Sequence, residues 1–112
     1  VLADMNRFSE SFAVGDATIA AYRRLVELSG NTPGARRSLA AVMRTIGGNR
    51  YNGGDYARAC ATWREALAIH RDNERRGALS AFDRNGAVVE LTRLLRTSCE
   101  GGPPRAGAGL RL

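Results

Sequence analysis

The sequence predicts an all-α protein of about five helices, arranged as antiparallel helix hairpins. Apolar residues recur at spacings of three and four over most of the chain, which is the period of a helix that is buried on one side. Glycines followed by aspartate divide these stretches, as expected of helix ends and N-caps. At 112 residues the chain has the size of one domain, and no apolar run has the length of a membrane span.

Residues 31–77 carry the clearest pattern, that of two helices joined by a short turn. Thr32-Pro33 is typical of a helix start, and Gly53-Gly54 is typical of a helix end. Asp55 then provides an N-cap for a second helix, which we expect to end at Gly77. One face of this second helix is lined by Tyr56, Ala59, Cys60, Trp63, Ala66, Leu67 and His70.

Residues 1–30 repeat this arrangement in a weaker form. The first helix has an apolar stripe of Leu2, Met5, Phe8 and Phe12. Gly15-Asp16 looks like a second copy of the turn, and Asp16 would cap a helix that carries Ile19, Tyr22, Leu25 and Val26. We therefore predict a degenerate helix hairpin over residues 1–30, with part of its apolar stripe left exposed.

The C-terminal third begins with a predicted helix over residues 78–98. Ser80 to Asp83 resembles a capping box, and Gly86 weakens the helix locally. Its apolar face is formed by Phe82, Val88, Val89, Leu91, Leu94 and Leu95. Residues 99–112 are rich in Gly and Pro and have no periodicity, so we expect a disordered tail.

The two helices of residues 31–77 resemble the tetratricopeptide repeat, whose pattern runs over about 34 residues. Ile46-Gly47 stands where that pattern has Leu-Gly, and Gly54-Asp55-Tyr56 looks like its common turn. Ala59 and Ala66 take the two Ala positions of the second helix, and Trp63 takes the Phe position. Three positions depart from the pattern: Met43 for Trp, Arg50 for Tyr and Arg71 for Pro.

This resemblance implies a short right-handed solenoid, with residues 78–98 as its capping helix. In such arrays the first helix of each repeat lines a groove that binds a peptide or protein segment. By their offset from Gly47, the groove residues would be Arg37, Ala41, Arg44, Gly48, Tyr51 and Asn52. Some relatives clamp a terminal carboxylate with a Lys and an Asn; here Arg44 takes the Lys position and Gly48 the Asn position.

The resemblance also implies an origin, since such arrays are often attached to bacterial signalling kinases or transcriptional regulators. The chain begins at Val1, and we expect it to be a C-terminal fragment of a larger, cytoplasmic regulatory protein of this kind. All 17 basic residues are Arg, and the net charge is +6, which favours a partner with acidic side chains.

The alternative is a basic helical module that contributes to nucleic-acid binding in a transcriptional regulator. Nucleic-acid binders concentrate their charge on one face and interleave it with aromatic residues. In this chain the arginines are scattered, and Tyr51 is the aromatic residue beside the groove stripe. We therefore predict a protein or peptide partner rather than nucleic acid or a membrane.

No catalytic, cofactor or metal-binding residue is predicted. His70 is the one His, and it has no Cys or carboxylate at ligand spacing. The stretch 48–53 mimics the glycine spacing of a phosphate loop, but Gly54-Asp55 replaces the required Lys and Ser or Thr. We predict that Cys60 is a small buried residue and that Cys99 is a free thiol. A Cys60–Cys99 disulfide is the alternative, which a bacterial cytosol disfavours because disulfides are rare there.

Overall fold

A computed structural model describes the backbone of residues 2–100 and the side chains of residues 9–100. Over this range the chain is all-α, as predicted, and no strand is present. The helices are α1 (Leu2–Leu28), α2 (Pro33–Asn52), α3 (Tyr56–Arg75), the single turn α4 (Ala81–Asn85) and α5 (Ala87–Ser98). The predicted tail falls mostly on residues 101–112, which lie outside the described residues. None of the described helices is both long enough and apolar enough to cross a bilayer.

The predicted turn at Gly15-Asp16, and with it the hairpin over residues 1–30, is wrong. Helix α1 runs without a break through both residues. Gly15 is instead buried where α1 crosses α2, and a Cβ atom there would lie 3.1 Å from Ile46. Asp16 does not cap a helix but forms an ion pair with Arg50 of α2. A glycine required for close packing of helices was therefore mistaken for a helix end.

The α2–α3 hairpin forms where the sequence predicted it. The Thr32 hydroxyl caps α2, and Pro33 is its first residue. Gly54 has a φ of 90°, a value that favours glycine, and the Asp55 carboxylate accepts a hydrogen bond from the backbone N–H of Arg58. Trp63 lies buried between the two helices and donates from Nε1 to the carbonyl oxygen of Arg44 at 3.1 Å.

The core is shared by α1, α2, α3 and α5. Its buried members are Ile19, Leu39, Ala40, Met43, Ile46, Trp63, Ala66 and Leu91. The helix predicted over residues 78–98 is interrupted at Gly86, where a Cβ atom would lie 2.9 Å from the Phe82 carbonyl oxygen. The interruption separates the short α4 from α5, which packs on α3 through Val88 and Leu91.

Cys60 and Cys99 form a disulfide, so the prediction of a free thiol at Cys99 is wrong. The end of α5 lies beside the start of α3 and brings the two Cα atoms to 5.9 Å, although 39 residues separate them. Nothing in the local sequence indicates this proximity. The bond is typical of an oxidising compartment, and a cytoplasmic location stays a prediction that this observation does not favour.

Candidate functional site

A cleft of about 290 Å³ lies between α2 and the α4–α5 segment. Three of the six predicted groove residues, Arg37, Ala41 and Arg44, line it from α2. The other wall consists of Phe82, Asp83, Gly86, Ala87 and Glu90. Helix α2 presents these three side chains together because their spacings of four and three residues keep them on one helix face.

The remaining three predicted groove residues do not line this cleft. Tyr51 stacks on Trp63 with ring centroids 5.7 Å apart and meets the edge of Tyr56 at 4.9 Å, so it belongs to the hairpin core. Asn52 is exposed at the last position of α2. Gly48 is half-buried, and a Cβ atom there would meet nothing within 4 Å.

Two ion pairs in the same register join the walls of the cleft. Arg37 donates to both carboxylate oxygens of Asp83, from Nε at 2.5 Å and from Nη2 at 3.1 Å. Nearly two helical turns further along α2, Arg44 donates from Nη1 to Glu90 at 2.8 Å. Partners in both pairs are 46 residues apart, because Asp83 and Glu90 have the same spacing as Arg37 and Arg44.

The two pairs differ in exposure. The Asp83 side chain is buried, and the Arg37 guanidinium lowers the pKa of that carboxyl against the opposing effect of burial. Both Arg44 and Glu90 are partly exposed. The Arg37 and Arg44 side chains remain 52% and 38% exposed while paired, so each guanidinium keeps donors for a ligand.

His70 of α3 lines the cleft and is only 2% exposed. Burial lowers the pKa of its imidazole; Asp83 opposes this shift, whereas Arg37 and Arg44 add to it. The imidazole is therefore neutral near pH 7. Its Nδ1 atom is buried without a hydrogen-bond partner among the described residues.

Phe82 stands at the mouth of the cleft. Its side chain is 77% exposed, and the Arg37 guanidinium lies 5.9 Å from the ring centroid. The cleft thus combines an aromatic surface with two accessible guanidinium groups. Two carboxylates of the chain already accept hydrogen bonds from some of the guanidinium donors. Such a surface can bind an acidic segment through charge-assisted hydrogen bonds, with apolar contact to the ring.

Sequence reasoning found the α2 wall and missed the opposite one. His70, Phe82, Asp83 and Glu90 were not assigned to the groove. One signal was available: Asp83 and Glu90 are seven residues apart, as are Arg37 and Arg44. That match could have predicted that the C-terminal helix lies against α2 with its carboxylates on the arginines.

A second, larger cleft of about 430 Å³ lies between α1 and α2. Its lining is mainly apolar and includes Val14, Gly15, Val42 and Ile46. Of the residues on which the expectation of uncovered apolar area on the first helix rested, Phe12 lines this cleft and is half-buried, while Val14, which was not one of them, is exposed. The side chains of Leu2, Met5 and Phe8, on which that expectation also rested, lie outside the described residues.

Within residues 9–100 no three His, Cys, Asp or Glu side chains are grouped in a way that could hold a metal ion. In comparisons with known proteins, no family model, no curated protein and no solved structure matches the chain.

Proposed function

We propose that the chain is a non-catalytic scaffold that binds a protein or peptide segment bearing acidic side chains. The segment lies in the cleft between α2 and α4–α5, on Arg37 and Arg44. The proposal includes a tetratricopeptide-like arrangement of the helices and a role within a larger bacterial signalling or regulatory protein. The resemblance of α2 and α3 to that repeat supports both.

One observation carries the proposal: the chain's own Asp83 and Glu90 bind Arg37 and Arg44 in a matched register. The two arginines are about 10 Å apart along α2, because seven residues make nearly two helical turns. This face of α2 is therefore suited to a helical segment whose carboxylates are separated by the same distance. A compact anion could reach only one of the two guanidinium groups.

The exposed parts of the site favour a weak, reversible complex. Arg44 is partly exposed and uses only one of its nitrogen atoms on Glu90, so an incoming carboxylate can share or replace that partner. Exposed ion pairs are screened by salt and contribute little individually. A dissociation constant of about 100 μM, or roughly −5.5 kcal/mol, is a reasonable expectation for such contacts.

The nucleic-acid alternative receives less support from the charge distribution. Arg23 pairs with Glu65, Arg36 with Asp72 and Arg50 with Asp16, as Arg37 and Arg44 pair with their own carboxylates. These pairs reduce the positive potential that a phosphate backbone would require.

The test is fluorescence anisotropy with a labelled, Ala-rich helical peptide that carries two Glu residues seven positions apart. Wild type should bind this peptide, and a Gln-substituted peptide should not bind. Arg44→Gln should weaken binding at least about fivefold, the effect of losing roughly 1 kcal/mol. Arg64→Gln is the matched control, since it removes one exposed charge from α3, away from the cleft. Two results would remove this cleft from the proposal. One is equal peptide binding by the Arg44→Gln and Arg64→Gln variants. The other is no binding to wild type at about 1 mM peptide, which is well above the expected dissociation constant.

A further inference from the structure

The Cys60–Cys99 disulfide encloses the entire second wall of the candidate cleft. Cys60 lies in the second turn of α3, and Cys99 follows the last residue of α5. Phe82, Asp83 and Glu90 all fall between the two cysteines in the sequence. The wall is therefore attached at one end by the chain leaving α3 and at the other end by the sulfur–sulfur bond.

The α4 part of this wall is short and is attached through two buried residues, Leu79 just before it and Asp83 within it. Helix α4 is a single turn between Gly77, which has a φ of 71°, and the interruption at Gly86. Its link to α2 is the pair between Arg37 and Asp83, together with the exposed Phe82 ring. Helix α5 is held more firmly, because Leu91 and Val88 are buried in its first half.

The last turn of α5 depends more on the disulfide. Leu94, Leu95 and Cys99 are only partly buried against the core. Without the bond, this turn would keep fewer buried contacts than the Leu91 region, and exposed helix ends open most readily. Glu90 lies about two and a half helical turns before Cys99, between the buried Val88 and Leu91, so it is released only when α5 as a whole opens from α3, to which the disulfide ties it.

We propose that the Cys60–Cys99 disulfide is a redox clamp that sets how far the wall of the cleft can open. This inference rests on the proposed function only for its consequence, the binding of an acidic segment. When the disulfide is intact, Asp83 and Glu90 are held on Arg37 and Arg44 and compete with an external carboxylate. When it is reduced, the wall loosens and the two guanidinium groups become available.

The chemistry is thiol–disulfide exchange with a dithiol reductant. A thiolate of the reductant attacks the Cys99 sulfur, which is the more accessible of the two because Cys60 is 7% exposed. The bond between the cysteines breaks, and Cys60 leaves as a thiolate and takes up a proton. The second thiol of the reductant then attacks the mixed disulfide and releases Cys99. The reductant loses two electrons and becomes a disulfide, while Cys60 and Cys99 become thiols.

The first arm of the test is amide hydrogen exchange of the whole chain, oxidised and after reduction with dithiothreitol. The protection of amides in residues 79–98 should fall at least about tenfold, whereas the protection of amides in α2 and α3 should change less than about twofold. A Cys60→Ser/Cys99→Ser variant should match the reduced protein with and without dithiothreitol. Unchanged protection in residues 79–98 would overturn the clamp, as would equal loss of protection along the whole chain.

The second arm measures binding of a synthetic peptide of residues 79–98, which carries Asp83 and Glu90 and lacks Cys99. Reduced protein should bind it at least about tenfold more tightly than oxidised protein, and Arg44→Gln should diminish that gain. Loss of protection without any peptide binding would retain the clamp and contradict the proposed function. Equal peptide affinity in the two redox states would overturn the link between the clamp and the cleft.

Discussion

A Cβ atom on Gly47 would lie 2.4 Å from Nε1 of Trp63, so the indole occupies the space that any side chain at this position would need. The same indole nitrogen donates to the carbonyl oxygen of Arg44, which is a lining residue of the cleft. The tight packing of Trp63 on Gly47 therefore holds α3 against α2, the helix from which Arg37 and Arg44 project.

Trp63→Ala should lower the free energy of unfolding by about 3–5 kcal/mol, because it removes a large buried aromatic side chain and leaves a cavity. Urea denaturation followed by far-UV circular dichroism measures this, since Trp63 is the only Trp available for fluorescence. A midpoint that moved by no more than the error of the measurement would show that Trp63 does not hold the hairpin together.

Gly47→Ala and Gly48→Ala should have opposite effects on stability. The methyl group at position 47 would displace the Trp63 indole, which we expect to cost about 1–3 kcal/mol. At position 48 a Cβ atom meets nothing within 4 Å, so alanine should stabilise α2 by up to about 1 kcal/mol. Chemical denaturation of the two variants side by side gives the comparison, and destabilisation by both would contradict the packing described for α2 and α3.

Asp16→Ala should destabilise the protein more than Glu65→Ala does. Asp16 pairs with Arg50, whose side chain is buried, so removing the carboxylate leaves a charge without its partner and costs about 2 kcal/mol. Glu65 pairs with the exposed Arg23, and exposed pairs contribute about 1 kcal/mol or less. Similar melting temperatures for both variants would argue against the packing of α1 on α2 at Gly15.

The pH dependence of stability should report on His70. Burial holds the pKa of the folded state below its ordinary value of 6.5, so below that pH the unfolded chain binds a proton that the folded chain does not. Stability is therefore complete above pH 6.5 and falls as the pH decreases toward the folded-state pKa, by at most about 1.4 kcal/mol per pH unit.

His70→Gln is the variant that isolates this contribution, because His70 is the only His in the chain. Its urea midpoint should change little between about pH 5 and 7, a range in which the wild-type midpoint declines on acidification. The same slope in both proteins would assign the acid sensitivity to another group.

The lowered pKa of Asp83 predicts a separate loss of stability on acidification below its unfolded-state value of about 3.8.

The α2–α3 hairpin could be predicted from the sequence because its signals are local. Thr32-Pro33, Gly53-Gly54 and Asp55 each act within one helical turn, and the apolar period of α3 identifies its buried face. Gly15 shows the limit of such signals. A glycine before an aspartate can end a helix or let two helices approach closely, and only the neighbouring helix distinguishes the two.

The second wall of the candidate cleft could not be predicted in the same way, because it depends on contacts between distant residues. The pairs between α2 and α4–α5 join residues 46 apart, and the disulfide joins residues 39 apart. Each partner taken alone looks like an ordinary surface residue or a small buried one. The matched spacing of the two arginines and the two carboxylates is the part of this arrangement that the sequence does contain.

The most direct test of the central claim is to map the peptide-binding site by nuclear magnetic resonance. Isotope-labelled, oxidised protein is titrated with the helical peptide that carries two Glu residues seven positions apart. We predict that the largest amide shifts fall on the lining of the cleft between α2 and the α4–α5 segment, at Arg37, Arg44 and Glu90. Shifts concentrated instead on Thr18 and Thr45, which line the apolar cleft between α1 and α2, would contradict it.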